Sequence, residues 1–479
     1  EKEKYEEDTG VLLFDYDNDN DLDLYIASGS NEFYENSEYY QDRLYKNDNN
    51  GKFKLTEDVL PKMRSSTSCV RASDFDGDGD LDLFVGGRLT PLKYPLPPTS
   101  FLLRNDGGKF KDVTNQLAPS LRKVGMVTDA LWTDYDNDSD QDLIVVGEFM
   151  AIEFYKNQNG KLVSDLQNTG LSHTSGWWNS INGGDFDNDG DIDFILGNLG
   201  LNSKYKASPE EPISIYSLDY DQNGAIDPIM TFFNEGEEYP VHSRDDLVRQ
   251  VPTLKKKFPD YTSYATATIS KILSPQQKSR AYSVKVFELA SSILINQGNG
   301  KFKLVPLPAL AQVAPIYGIL ISDFDKDGNL DVVVSGNDYG TEVGIGRYDA
   351  SKGLYLKGTG KGSFIAVRNS ESGLLIDGNT RGAATLAMTN GIIQLFGKNS
   401  GNLKTYRFAS ETDDDNVLRI PEGSTSAKIY LENGEIRKHE FYHGSSYLSQ
   451  STRTIQITGK EKKIIIYDQN LNEKLLYER

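Results

Sequence analysis

Six acidic stretches in this chain share one spacing of oxygen-bearing side chains. The first places Asp15, Asp17, Asp19, Asp21 and Asp23 at alternate positions, and the second repeats this with Asp74, Asp76, Asp78, Asp80 and Asp82. The third carries Asp134, Asp136, Asp138, Asp140 and Asp142, and the fourth Asp185, Asp187, Asp189, Asp191 and Asp193. The fifth is sparser, with Asp219, Asp221, Asn223, Ala225 and Asp227; the sixth has Asp323, Asp325, Asp327, Asn329 and Asp331. Hard oxygens at positions 1, 3, 5 and 9 of a tight loop suit Ca²⁺. Position 6 is usually Gly or Asn, residues that tolerate the sharp turn such a loop needs. Position 7 normally offers its backbone carbonyl, so Ala225 does not disqualify the fifth loop. A single acidic loop could be merely a solvated turn, but six on one template are not accounted for that way. The expected cofactor is Ca²⁺, up to six ions, one per loop. In such loops ions more often hold structure than perform chemistry.

The elements that hold these loops are strands. An EF-hand would end on a glutamate at position 12 and run into a helix. Here the ninth-position Asp closes the set, and LDLYIAS, LDLFVGG, QDLIVVG or LDVVVSG follows at once. A second signature recurs downstream: LYKNDNNGKFKL at 44–55, LLRNDGGKFKDV at 102–113, FYKNQNGKLVSD at 154–165 and LINQGNGKFKLV at 294–305. Each reads as strand, Asn/Gly hairpin, strand. One unit is therefore strand, acidic loop, strand, connection, strand, hairpin, strand. The first four loops start 59, 60 and 51 residues apart, and four-stranded units repeated radially make a β-propeller.

These loops and hairpins are similar to the FG-GAP/VCBS repeats of integrin α-like calcium-binding propellers. The tail, with FYHGSSYLSQSTR at 441–453, resembles the end segment of bacterial surface proteins with ASPIC/UnbV-type domains, although TIQITGKEKKIII replaces that group's His-Phe-Gly-Leu-Gly stretch. The expected fold is all-β: a propeller over 1–409, with a helical insertion at about 234–291, and a small β-rich segment over 410–479. Seven blades are expected, at about 10–60, 67–118, 124–170, 176–210, 211–310, 314–375 and 380–408. The count falls to six if the fifth loop is a turn within blade four. The resemblance further implies a bacterial cell-surface location, with a lipid anchor upstream of Glu1 and a protein partner in the outer membrane or envelope. The start at Glu1 without Met fits a processed piece of a longer chain.

The composition limits the alternatives. The net charge is −20, but the loops hold 27 of the 71 acidic residues, leaving 44 against 51 basic ones. Six bound Ca²⁺ would bring the total to −8, so acidity marks the loops rather than a cationic partner. Nucleic-acid binding is not expected: the run Lys255, Lys256 and Lys257 reads as a solvated helix face. Cys69 is the single cysteine, so no disulfide framework exists. No apolar run reaches the length of a membrane span.

Loops and hairpins must share one face of a propeller, and the irregular connections the other. That other face is the expected ligand or partner surface. It gathers Phe33, Tyr34, Tyr39, Tyr40, Arg88, Tyr94, Tyr205, Tyr339, Arg347 and Tyr348, with Arg244 from the insertion. Tyr and Arg combine large area with directed hydrogen bonds, as interfaces require. Trp177 and Trp178, preceded by His173, are placed on the same face, a pair that could stack a sugar ring but more often packs a core. No metalloprotease pair, phosphate loop or nucleophile elbow is present. The first expectation is a non-enzymatic, calcium-stabilised binding scaffold with no catalytic residues. The alternatives are a glycan-binding module and a polysaccharide lyase or hydrolase with its site opposite the calcium loops.

Overall fold

The computed structural model describes residues 5–388, 391–408 and 416–479. The expected domain boundary at 409/410 lies outside the described residues.

Repeat units form antiparallel sheets in chain order. The first contains Asp8–Phe14, Asp23–Ser28, Arg43–Asn47 and Phe53–Leu55. The second contains Ser66–Ser73, Asp82–Leu89, Phe101–Asn105 and Phe110–Asp112. The third contains Met126–Thr133, Asp142–Met150, Glu153–Asn157 and Leu162–Ser164, with Gly176–Trp177 added at its far end. The fourth contains Ser180–Gly184, Asp193–Gly197, Ser292–Asn296 and Phe302–Pro306. The fifth contains Ile316–Ser322, Asp331–Gly336, Leu354–Gly358 and Phe364–Val367; the sixth has three strands, Thr380–Met388, Gly391–Lys398 and Lys404–Tyr406.

The second to fifth repeat sheets are buried on both faces, which is why their inner strands read as near-continuous apolar runs. The first and sixth leave one face more open, with Val11, Leu13, Leu386 and Met388 exposed. Successive side chains of a strand point to opposite faces. Accordingly Leu143 and Val145 pack with Phe84 and Leu102 of the second sheet. Their neighbours Ile144 and Val146 pack with Ile181 and Phe194 of the fourth. The same interleaving joins the first and second sheets through Leu12, Val70 and Leu83. Ile195 and Val332 join the fourth and fifth, and Val333 and Phe396 the fifth and sixth. Fully burying each such side chain is worth about 1.5–3 kcal/mol. Burial falls outward: Ser66–Ser73 is wholly buried, whereas Phe53–Leu55, the fourth strand of its sheet, is exposed.

The expected units at 176–210 and 211–310 need correction. Phe194 pairs with Leu294 and Leu196 with Ser292, so one sheet spans both. Between its second and third strands lies a separate sheet of Ile213–Leu218, Asp227–Asn234, Glu237–Pro240 and Tyr282–Val286. The helices Arg244–Gln250, Tyr261–Tyr264, Ile269–Ile272 and Pro275–Arg280 branch from that inserted sheet. Ser243 and Ser274 cap the first and last of them by accepting from Asp246 N–H and Gln277 N–H. The serial repeat sheets among the described residues therefore number six rather than seven.

Beyond the sixth sheet, Asn416–Arg419 pairs with Thr454–Ile457, and Ser424–Leu431, Ile436–Glu440, Glu461–Asp468 and Glu473–Glu478 form a four-stranded sheet. The segment between its second and third strands enters the repeat array. Tyr442 lies beside Gly183, and His443 bridges Ala72. Ser446 accepts from Arg71 through its carbonyl at 2.6 Å and from Ile319 N–H through Oγ at 2.9 Å. Gln450 makes a paired contact with the backbone of Leu13, and Ser451 Oγ accepts from Thr385 N–H at 3.0 Å. Just before it, Glu440 accepts from Thr133 Oγ1 at 2.7 Å. This one segment, with Glu440, touches the first strands of all six sheets.

Candidate metal centres

The acidic loops are built by their own first and fifth residues. The position-1 carboxylate accepts the N–H groups of positions 5 and 6, as Asp15 does from Asp19 and Asn20 at 3.2 and 2.8 Å. Asp74, Asp185, Asp219 and Asp323 repeat this contact. The position-5 side chain accepts the N–H of position 7 in all six loops. Two positions per loop are left-handed, the fourth and the sixth: Asn18 and Asn20, Gly77 and Gly79, Asn137 and Ser139, Asn188 and Gly190, Gln222 and Gly224, Lys326 and Gly328. Gly and Asn adopt that conformation most readily.

The result gathers carboxylate oxygens within 4.8 Å of one another. Among the groups are Asp15, Asp17 and Asp19; Asp74, Asp76 and Asp78; Asp134, Asp136, Asp138 and Asp142; Asp185, Asp187 and Asp189; and Asp219, Asp221 and Asp227. The position-3 oxygens test whether a cation fits. Asp17 Oδ1, Asp76 Oδ1, Asp136 Oδ1 and Asp187 Oδ1 are buried with no hydrogen-bond donor, as is Asp142 Oδ2. Buried acceptors without donors are costly unless a cation meets them. The set fits a hard divalent cation, which would hold the ring of carboxylates ionised.

Position 9 also serves the fold. Asp23, Asp82, Asp142, Asp193 and Asp331 are fully buried or nearly so. Each accepts the N–H of the residue closing its sheet's third strand: Asn47, Asn105, Asn157, Asn296 and Gly358, at 2.7 to 2.8 Å. Burial raises these carboxyls, Asp23 to about 6, Asp331 to about 7, Asp82 and Asp193 to about 8 and Asp142 to about 9.

The hairpin asparagines do more than turn the chain. Asn105 Nδ2 donates to the carbonyl of Tyr16, Asn157 to that of Phe75 and Asn296 to that of Tyr135, at 2.7 to 2.8 Å. Each asparagine thus clasps position 2 of the preceding sheet's loop. The fifth sheet has Gly358 in this place, and Gly362 N–H reaches the Phe186 carbonyl instead. The Asn at the end of each KN, RN or IN dipeptide was the available signal for the clasp.

Position-7 carboxylates face neighbours rather than the loop interior: Asp80 accepts from Asn18 and Gly107, Asp21 from Asn49 N–H, and Asp191 from Asn137. The fifth loop stands apart, because its sheet is the insertion. The four-stranded C-terminal sheet covers part of the loop end. Lys438 Nζ donates to the Asp134 carbonyl and Asn137 Oδ1, Lys438 N–H to Asp185, and Arg437 to the Gly328 carbonyl.

The expected ligand face divides into core and surface. Trp178, Tyr40 and Tyr205 are core side chains, correcting their assignment to that face. Trp178 Nε1 donates to the Thr174 carbonyl, and Tyr40 Oη to that of Phe33. Arg244 staples the helical insertion through the carbonyls of Phe258 and Pro259, so its charge is spent internally. Half-buried Trp177 stands between Phe149 and Tyr205 at ring distances of 5.1 and 6.4 Å. Beside it Glu148 accepts from Arg88 and Tyr94, and Tyr348 meets Ser203. Tyr39 packs on Phe33, Arg347 lies over Tyr339 at 5.0 Å, and Tyr34 is 81% exposed. His173 packs edge-on to Phe287.

A family profile for FG-GAP-like repeats matches residues 15–85 and 134–196, each stretch beginning on the first Asp of a loop and taking in two loops. Comparison with curated proteins gives no match. Among solved structures, the V. cholerae biofilm matrix protein Bap1 is similar at 10% identity over 94% of this chain and 97% of that one, with a TM-score of 0.32. Rhamnogalacturonan lyase YesW is similar at 10% identity over 98% of this chain and 71% of that one, with a TM-score of 0.26. At such scores neither likeness carries an argument about this chain. The chain contains FG-GAP-like repeats in two regions of an all-β fold.

Proposed function

We propose that the six repeat sheets close into a β-propeller stapled by Ca²⁺ in its acidic loops. In this reading the chain is a non-enzymatic scaffold at the bacterial cell surface. Its partner, an outer-membrane or envelope protein, docks on the end opposite the loops, and the tail is of the ASPIC/UnbV type. The observation that carries the calcium reading is the set of donorless, buried position-3 oxygens, repeated in four loops. Support for closure comes from the 441–453 segment, which with Glu440 touches the first strand of every sheet. In the loops, positions 1, 3, 5 and 9 would hold the ion, which supplies charge neutralisation and a fixed geometry. Purification from native membranes in calcium, followed by mass spectrometry, tests the scaffold reading. A stoichiometric envelope partner supports it, and a chain recovered alone argues against it.

A second reading, glycan binding, rests on half-buried Trp177, backed by the core rings of Phe149 and Tyr205, beside the Arg88–Glu148 pair. Aromatic faces stack sugar rings, and a charged pair at their edge offers hydrogen bonds. A glycan array with Trp177→Ala as control tests it. Incubation with polysaccharides and assay for new chain ends tests the lyase or hydrolase alternative.

A further inference from the structure

Three of the acidic loops sit beside a cation that the chain itself supplies. In each repeat sheet from the first to the fifth, the third strand ends on the residue whose N–H binds the position-9 Asp. The residue just before it therefore lies beside the loop in every sheet. It is Lys46 in the first, Lys156 in the third and Lys357 in the fifth, but Arg104 in the second and Ile295 in the fourth.

The three lysines do the same thing. Lys46 Nζ binds Asp17 and lies 3.0 Å from Asp19. Lys156 binds Asp136 and lies 3.0 Å from Asp138, and Lys357 binds Asp325 and lies 2.9 Å from Asp327. Each ammonium thus bridges positions 3 and 5 of its loop. In the first and third loops it takes Oδ2 of the position-3 carboxylate while Oδ1 stays without a donor. Arg104 turns instead to Asp106, at 2.8 Å, and Ile295 carries no charge. Asp76 Oδ1 and Asp187 Oδ1 in those two loops are also buried and donorless. All four loops therefore leave an oxygen for a cation, but two of them already hold a competing one.

We propose that Lys46, Lys156 and Lys357 set the affinity of their loops, dividing the metal sites into a tight class, the second and fourth loops, and a weak class, the first, third and sixth. The inference rests on the calcium reading above. An ammonium about 3 Å from the ligating carboxylates competes for them and repels an incoming divalent cation. The second and fourth sheets then hold their ions as permanent staples, while the first, third and fifth respond to the calcium level outside the cell. The third loop has an additional ammonium, Lys438, at 3.4 Å from Asp134 Oδ2, which places it at the weak end of its class. In the inserted sheet the strand paired with Asp227–Asn234 is Glu237–Pro240, whose last residue lies opposite Thr231 rather than at the loop, so the fifth loop belongs to neither class.

Calcium isotherms on the full chain test this, with Lys46→Met, Lys357→Met and the reciprocal Ile295→Lys. Methionine keeps most of the unbranched lysine stem and removes its charge. Each Lys→Met change is expected to tighten one site by roughly tenfold, the size of losing two partly exposed ion pairs, and to move one equivalent into the tight phase. Ile295→Lys moves one equivalent the other way. Circular dichroism and melting confirm that each variant is folded, and the two lysine variants lie in different sheets, so one misfolded variant leaves the other to decide. If both Lys→Met isotherms superimpose on that of a wild type that binds several ions, the affinity classes are wrong and the calcium reading stands. A wild type that binds no calcium overturns both.

Discussion

The two ends of the repeat array obey different rules. At the loop end, one nine-residue template recurs, with the same N–H groups turned onto the same carboxylates in sheet after sheet. At the opposite end no two connections are alike: one carries an inserted sheet with four short helices, another a lone exposed Tyr34. Stereotypy marks the end whose job is to hold neighbouring sheets at a fixed spacing. Irregularity marks the end free to vary, where binding surfaces are commonly built.

The largest expected effect separates the ends by metal. Chelation should lower the melting temperature by on the order of 10 °C or more, since each ion lost removes about 3 kcal/mol at a hundredfold excess over its dissociation constant. Scanning calorimetry with and without EDTA measures it, and an unchanged melting temperature would remove the loops' structural role.

Next is the pH response of the metal-free chain. Burial raises Asp82, Asp142, Asp193 and Asp331 to about 7 to 9, far above the unfolded value near 3.9. The folded form then binds more protons than the unfolded one. This contribution is complete below about pH 4 and is lost as pH rises through 7 to 9. The metal-free chain should therefore lose stability between about pH 5 and 9. The calcium-loaded chain should show the reverse, losing stability in acid as protons displace the ion. Urea titrations across that range distinguish the two.

At the level of single residues, Asn157→Leu should cost about 3 kcal/mol in urea denaturation. It strips donors from the buried Phe75 and Gln141 carbonyls and unfastens the third sheet from the second. Arg88→Met at the opposite end should cost less, about 1–2 kcal/mol. Its partner Glu148 keeps the Tyr94 hydroxyl, and the arginine is already part-exposed. Tyr34→Ser should be smallest, within about 0.5 kcal/mol, because an 81% exposed ring stabilises little. Its effect belongs in partner capture from native membranes, and equal capture by the variant would take Tyr34 out of the interface.

Much of the loop end was legible because its chemistry is local. Six ligand spacings and four hairpin signatures are each contained within a dozen residues, and the strands they imply are those observed. The insertion was misassigned because sheet pairing is not local: Phe194 meets Leu294 across a hundred residues, and an apolar run does not name its partner. A signal did exist. LINQGNGKFKLV at 294–305 has the hairpin signature but no acidic loop of its own nearby, whereas the fifth loop has no hairpin signature after it. Trp178, Tyr40 and Tyr205 read as surface residues for a related reason. Their segments are irregular, yet Trp178 and Tyr205 are packed against neighbours from other parts of the chain.

By itself the sequence determined the repeated loop, its oxygen set and the strands on either side, because each depends on contacts among near neighbours along the chain. Tertiary structure alone decided the rest. It paired Asp193–Gly197 with Ser292–Asn296, sent 441–453 among the first strands of the sheets, and set lysines against three of the loops while leaving two without one. Those outcomes depend on which surfaces exclude water together, and that is fixed only when all the sheets are in place.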